Sequence, residues 1–354
     1  VAEIDAMTRR PVGWLGDAGE GDTGRGGLLV RSLDELFDAS RAGDREAAAR
    51  VLARSPQLAR VTGPHPIWGG EPTALHVAVE NGRADVAALL LEAGADPNHP
   101  SDMYDGWTPM LIAAGRESRE LVDLLRAHGA HVDAWEAAAL GDVTSLSEIV
   151  EQRPAVVRER RANQAPPLHF AATVDVARLL VRHGAEVDAL DKYGATAARA
   201  AAYGRRTRRP VARFLMDVSG ETDAWLLAAV DDVDGLQALA ERGVDILTAR
   251  RGGLNPASGF GETPLHTAAA LANLATVSFL ITRGADVDIS SGPKGDRPLH
   301  YAAKRNARDV VDALLAAGAN PRLKDADHEA TPADWARFAG HFALATYLED
   351  LEVI

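Results

Sequence analysis

Apolar positions along the chain come in short, regularly renewed bursts. Between Gly261 and Asp288 the sequence reads G-E-T-P-L-H-T-A-A-A-L-A-N-L-A-T-V-S-F-L-I-T-R-G-A-D-V-D. Leu265 and the Ala268-Ala269 pair form a narrow apolar stripe whose small side chains let neighbouring helices approach closely. Val277, Leu280 and Ile281 recur at i, i+3 and i+4, which predicts a second helix with one buried face. Thr263 predicts the cap of the first helix, Pro264 its first position, and Gly284 the stop of the second. A helix pair this short cannot bury its apolar faces alone, whereas stacked pairs can.

The burst repeats. Leu75-His76, Pro167-Leu168-His169 and Arg297-Pro298-Leu299-His300 carry the same core, and His266, His300 and Asp334 are spaced 34 positions apart. A period in this range with T-P-L-H-x-A marks an array of helix pairs. On these residues the chain resembles the ankyrin-repeat family, of bacterial type and with divergent repeats, from Ser32 to about Leu351. The resemblance implies an all-α, right-handed solenoid of helix-turn-helix units joined by β-hairpin fingers. Ten repeats are expected, at 32–61, 72–98, 106–133, 134–161, 165–188, 194–222, 223–247, 261–288, 295–322 and 330–354.

A longer period overlies the short one. Asp133–Asp142 (D-A-W-E-A-A-A-L-G-D) matches Asp223–Asp232 (D-A-W-L-L-A-A-V-D-D), and Leu36–Asp44 fits the same frame. Phe37, Trp135 and Trp225 are then equivalent, so the array reads as three triplets plus a C-terminal cap. Only six positions separate Gly129 from Trp135 and Ser219 from Trp225, so fingers are expected to be missing before repeats 4 and 7. Long connections predict oversized fingers before repeats 2 and 8. Repeat 5 is shortened between His169 and Val176, and repeat 6 is lengthened between Arg199 and Val211.

Composition changes the picture in three places. Aromatics are 5% of a chain that is 46% hydrophobic, so the core is expected to be Ala, Leu and Val. A formal charge of −13 argues against nucleic-acid binding. The absence of cysteine, of an 18-residue apolar run and of a signal-peptide pattern leads to the expectation of a cytoplasmic protein with no membrane association. Residues 1–31 form a Gly-rich N-terminal arm that does not follow the order of a phosphate loop; it is expected to be held by the solenoid 32–354 or by a partner chain.

Candidate chemistry is sparse. The resemblance gives His76, His169, His266 and His300 the role of tying adjacent turns, a tie that Leu111, Arg199 and Asp334 lack in their repeats. His65 and Trp68, and His99, Tyr104 and Trp107, fall in fingers together with Asp102 and Asp105. No metal-ligand spacing accompanies them, and no metal or cofactor is expected. Arg158, Arg160, Arg161, Arg250 and Arg251 stand where they could hold a carboxylate or phosphate. The run Arg205–Arg209 reads as a solvated, mutually repelling turn. Carried over from the family, the binding positions are Phe170, Tyr203, Tyr301, Lys304, Arg305, Trp335 and Phe338, with Lys192 and Tyr193 on a finger.

No nucleophile elbow, phosphate loop or telling carboxylate pair is legible. The expectation is a protein–protein interaction module that holds a protein partner on fingers and inner helices. The alternative is a small-molecule-binding protein or enzyme, its pocket enclosed by the long fingers and the arm.

Overall fold

The computed structural model describes residues 25–63, 70–101, 105–250 and 261–352. Two compact units divide between Ala201 and Ala202. Among the described residues all regular structure is helical. In place of laddered hairpins there are two isolated antiparallel bridges, Thr62 with Thr73 and Ser101 with Trp107.

In the N-terminal unit the first pair is Arg25–Ala42 with Arg45–Arg54. Its first helix starts seven residues before Ser32: the apolar run Leu28-Leu29-Val30 continues the helix, and Gly26-Gly27 does not break it. Three further pairs follow: Ala74–Glu80 with Ala84–Glu92, Pro109–Gly115 with Arg119–Ala127, and Ala134–Leu140 with Val143–Gln152. In the fifth repeat the shortening seen in the sequence reduces the first helix to the 3-10 turn Pro167–Phe170, ahead of Val174–Arg182. First elements pack on first elements through this unit. Leu75 and Met110 of the first helices and Leu90 and Leu121 of the second are completely buried.

The C-terminal unit contains Arg209–Ser219 and four pairs. These are Ala224–Val230 with Val233–Glu241, Pro264–Ala270 with Leu274–Thr282, Pro298–Lys304 with Arg308–Ala316, and Pro332–Phe338 with Phe342–Glu352. Gly284, at φ 89°, ends its helix as the sequence indicates. Its N–H reaches Ile281 O at 2.9 Å while Ala285 N–H reaches Leu280 O at 3.0 Å, the paired bonds of a Schellman stop.

The fingers are compact turns. Asp191 N–H to Ala195 O (3.0 Å), Ser291 N–H to Asp296 O (2.7 Å) and Asp325 N–H to Ala330 O (3.0 Å) each close one, and the chain then enters the next helix before a ladder can extend. Before Asp133 and Asp223 the chain runs straight into the N-cap with no finger, as the spacing predicts. The three repeats aligned by the longer period share their caps. Asp44, Asp142 and Asp232 accept from Ala47, Ser145 and Gly235 N–H at the start of their second helices. Trp135 and Trp225 donate their indole N–H to Ala165 O (3.0 Å) and Glu262 O (2.9 Å), each just ahead of the next repeat.

The motif histidines do what the resemblance implies. Thr263 N–H points at His266 Nδ1 (3.1 Å), which leaves that nitrogen unprotonated and puts the proton on Nε2. Nε2 then faces Asp296 O at 3.2 Å in the next turn. His169 reaches Ala195 O (3.0 Å) and His300 reaches Ala330 O (3.1 Å) in the same way. Burial, the first cause in each case, pushes the pKa of His76, His266 and His300 from 6.5 to about 4.

Below pH 6.5 the unfolded chain therefore binds protons that the folded chain refuses, and stability falls as pH drops toward 4. At pH 5 the loss is on the order of 2 kcal/mol per histidine. Thermal melts followed by circular dichroism are expected to show a lower midpoint at pH 5 than at pH 7, with a smaller drop in the His300→Gln variant. A level or rising midpoint contradicts this assignment.

Candidate interaction surface

In the N-terminal unit the missing finger and the shrunken fifth repeat bring distant turns together. The turn before repeat 3 holds Asp105 at φ 56°, next to Gly106 at φ 79°. The Asp105 carboxylate pairs with the Lys192 ammonium and accepts from Tyr193 Oη at 2.7 Å, both on the turn before repeat 6. Lys192 Nζ also stands 4.9 Å from the Tyr193 ring centroid, and its backbone N–H is held by Asn163 O at 2.9 Å. Beside this bridge, Trp107 meets Phe170 edge-on, with centroids 5.6 Å apart. Trp107, Phe170, Lys192 and Tyr193 thus form one surface. His99 flanks the same turn, its ring 6.0 Å from His76. His65, Trp68 and Tyr104 lie outside the described residues.

Under this surface sits a pair that the sequence reading missed. Glu136 occupies the motif-histidine position of repeat 4 and is 2% exposed. It accepts from Asp133 N–H (3.2 Å), as the histidines do, and from Thr108 Oγ1 (3.1 Å). Arg161 meets both of its oxygens at 2.7 and 2.8 Å and lies 4.4 Å from the Trp135 ring centroid. The signal was present as a carboxylate standing where histidine belongs, with an arginine at the end of the same repeat.

The remaining arginines singled out in the sequence are engaged within the chain. Arg158 donates to Gly184 O (2.8 Å), Arg160 to Leu190 O (2.7 Å), and Arg250 to Ser290 O (2.6 Å) and Gly261 O (2.9 Å). Arg251 lies outside the described residues. The reading of Arg205–Arg209 as a solvated turn is corrected by the structure. Arg206 and Arg209 reach across to the end of Pro264–Ala270, where both donate to Leu271 O, and they also bind Ala272 O and Asn273 Oδ1 respectively. Helix-end carbonyls carry partial negative charge, which offsets the repulsion between the guanidinium groups.

In the C-terminal unit several candidates turn inward. Trp335 is 5% exposed, donates Nε1–H to Asp325 Oδ2 (2.7 Å), and stacks edge-on against His300 and Tyr301 at 5.4 and 5.7 Å. Tyr301 Oη donates to Glu262 Oε1 (2.7 Å) and lies 3.2 Å from Asp296 Oδ2; burial, then the two carboxylate charges, raise its pKa well above 10.0. These two rings cement repeats 8 to 10. Lys304 Nζ stands 5.9 Å from the Trp335 ring, and Tyr203 is part-buried. Arg305 is exposed, and Phe338 is 86% exposed. Among the described residues no group of three His, Cys, Asp or Glu is placed to hold a metal ion, and no helix is long and apolar enough to cross a membrane.

Two stability predictions follow from these placements. Arg161→Ala leaves the buried Glu136 carboxyl without its ion-pair partner and is expected to cost about 3–5 kcal/mol in urea unfolding, with Glu136→Gln in the same background restoring part of it. Trp335→Ala is expected to cost about 3–5 kcal/mol, while Phe338→Ala stays within about 0.5 kcal/mol. Equal effects at 335 and 338 contradict the burial described here.

Known families bear on this arrangement directly. Ankyrin repeats in three copies match residues 36–136 and again 225–325, and a single ankyrin repeat matches 163–192. The two three-copy blocks begin beside Phe37 and at Trp225. Zinc finger CCCH domain-containing protein 50 of Oryza sativa subsp. japonica is 41% identical over 143 residues, covering 36% of this chain and 20% of that protein. A putative ankyrin repeat-containing protein of Treponema pallidum is 37% identical over 102 residues, covering 29% and 32%. The ANK repeat-containing protein nipk-1 of Caenorhabditis elegans is 34% identical over 101 residues, covering 28% and 16%. The chain therefore spans a third or less of the length of these relatives. Repeats of this kind generally act as protein-interaction modules. With the matched blocks covering more than half of its residues, the chain belongs to the ankyrin-repeat family.

Proposed function

We propose that the protein is an interaction module that holds a protein partner on the surface built by Trp107, Phe170, Lys192 and Tyr193. The observation that carries this reading is the bridge from Asp105 to Lys192 and Tyr193 beside the Trp107–Phe170 contact. It joins two turns 87 residues apart and sets two aromatic rings next to a cation on a half-exposed surface. Aromatic residues held rigid in this way are the usual anchors of interfaces, because little side-chain freedom is lost on binding. Ten repeats arranged as three triplets plus a cap, and a reducing cytoplasmic setting for a chain with no cysteine, belong to the same reading. The enclosed-pocket alternative rests on the arm and on the fingers around His65 and His99, of which residues 1–24, 64–69 and 102–104 lie outside the described residues.

The test is selection of displayed random peptides on the full chain, followed by affinity measurement against variants. Peptides that bind this surface are expected to lose at least about tenfold in affinity for Lys192→Glu and for Phe170→Ser, with Arg305→Glu as an unaffected control and thermal melts run in parallel. Binders indifferent to both substitutions in a folded protein would place the site elsewhere.

A further inference from the structure

The helix-to-helix turns of the C-terminal unit, at the end of each pair away from the fingers, carry a second surface. Arg206 and Arg209 of repeat 6 converge on Leu271 O at 3.5 and 3.3 Å. Arg213, on the same helix as Arg209, donates to Val230 O at 2.9 Å. Arg206 and Arg213 are exposed and Arg209 is half-buried. Each guanidinium spends its Nη2 on a helix end, so Nε and Nη1 are left to meet a further acceptor. Arg305 adds a fourth charge that acts on Arg209, and its guanidinium makes no hydrogen bond or ion pair among the described residues. The carboxylate facing the group is that of Asp231, whose Oδ1 is taken by Thr276 N–H (3.1 Å) and Oγ1–H (2.8 Å).

The same row of turns exposes apolar side chains. Leu274, first in its helix, is 39% exposed. Phe338, last in its helix, and Phe342, first in the next, are 86% and 66% exposed. His341, between these two residues in sequence, ties its Nε2 to Lys304 O at 3.1 Å, next to Arg305 in the chain. Arginines, Leu274, Arg305 and the phenylalanines therefore follow one another along adjacent turns. The chain as a whole carries a formal charge of −13, so four clustered guanidinium groups stand out against it.

We propose that this row of turns is a docking surface for an acidic peptide segment of a partner protein, one that alternates carboxylates with large apolar side chains. The carboxylates meet the free guanidinium edges, in the fork geometry that suits them, and the apolar side chains cover Phe338 and Phe342. The surface lies on a different unit from the one in the proposed function and does not depend on it.

Fluorescence anisotropy on the full chain tests the idea, with a labelled short peptide alternating glutamate with phenylalanine and leucine and a lysine-for-glutamate counterpart. The acidic peptide is expected to bind, to weaken as salt rises from about 50 to about 300 mM, and to lose at least about tenfold in affinity with Arg305→Glu and with Phe338→Ser. Both positions are exposed, and unchanged melts verify folding. Lys192→Glu leaves this binding intact. The proposal is overturned by absence of binding, by equal binding of the lysine peptide, by indifference to both substitutions, by tighter binding of a labelled oligonucleotide, or by a dimer of this chain that Phe338→Ser dissolves.

Discussion

Everything in this fold follows from helices that are too short to look after their own ends. A helix of seven residues leaves up to four unpaired N–H groups at one end, one fewer where proline opens it as in Pro264–Ala270, and four unpaired carbonyls at the other, which together involve nearly every residue in it. Stacking buries these ends, where an unmet hydrogen bond is costly. The partners must therefore come from neighbouring repeats. The motif histidine does this at the finger end. Arginine does it at the turn end, where Arg83 donates to Arg41 O (3.1 Å) and Arg213 to Val230 O. Asn273 does it twice, to Ala228 O (2.7 Å) and Ala229 O (3.0 Å), from a completely buried position.

That demand explains why so few arginines are free for ligands. Arg60 and Arg158 each close a Pro-x-x-x-Arg turn and each donate at 2.8 Å to the glycine that ends the following repeat, Gly94 and Gly184. Such side chains look like anion binders in a sequence, because the carbonyls they serve are invisible there. What is left over acquires functional interest by contrast. Arg305 and the unused edges of Arg206 and Arg209 stand outside the tie system, as does Lys192, which is spent on a carboxylate bridge between turns rather than on a helix end.

The repeating architecture was legible because period, cap residues and stop glycines are local signals: Thr263, Pro264 and Gly284 each occupy the role that their chemistry suggests. The missing fingers before Asp133 and Asp223 could be read from spacing alone. What spacing could not reveal was which turns meet once fingers are missing. The contacts of Asp105 with Lys192 and of Trp107 with Phe170 span several repeats and depend on Pro167–Phe170 being a single 3-10 turn. The inward packing of Trp335 and Tyr301 was hidden for a related reason. A large ring at a family binding position looks the same in sequence whether it faces a partner or, as here, the ring of the next repeat. Glu136 is not among the replacements of the motif histidine read from the sequence, Leu111, Arg199 and Asp334, although it solves the same capping problem with a carboxylate.

Amide hydrogen exchange on the full chain, wild type against His266→Ala, asks most directly whether these ties join one repeat to the next. If the bond from His266 to Asp296 O couples them, exchange accelerates both in Pro264–Ala270 and across the turn 291–296 into Pro298–Lys304. Acceleration confined to Pro264–Ala270, with the following turn and helix protected as before, would contradict the account.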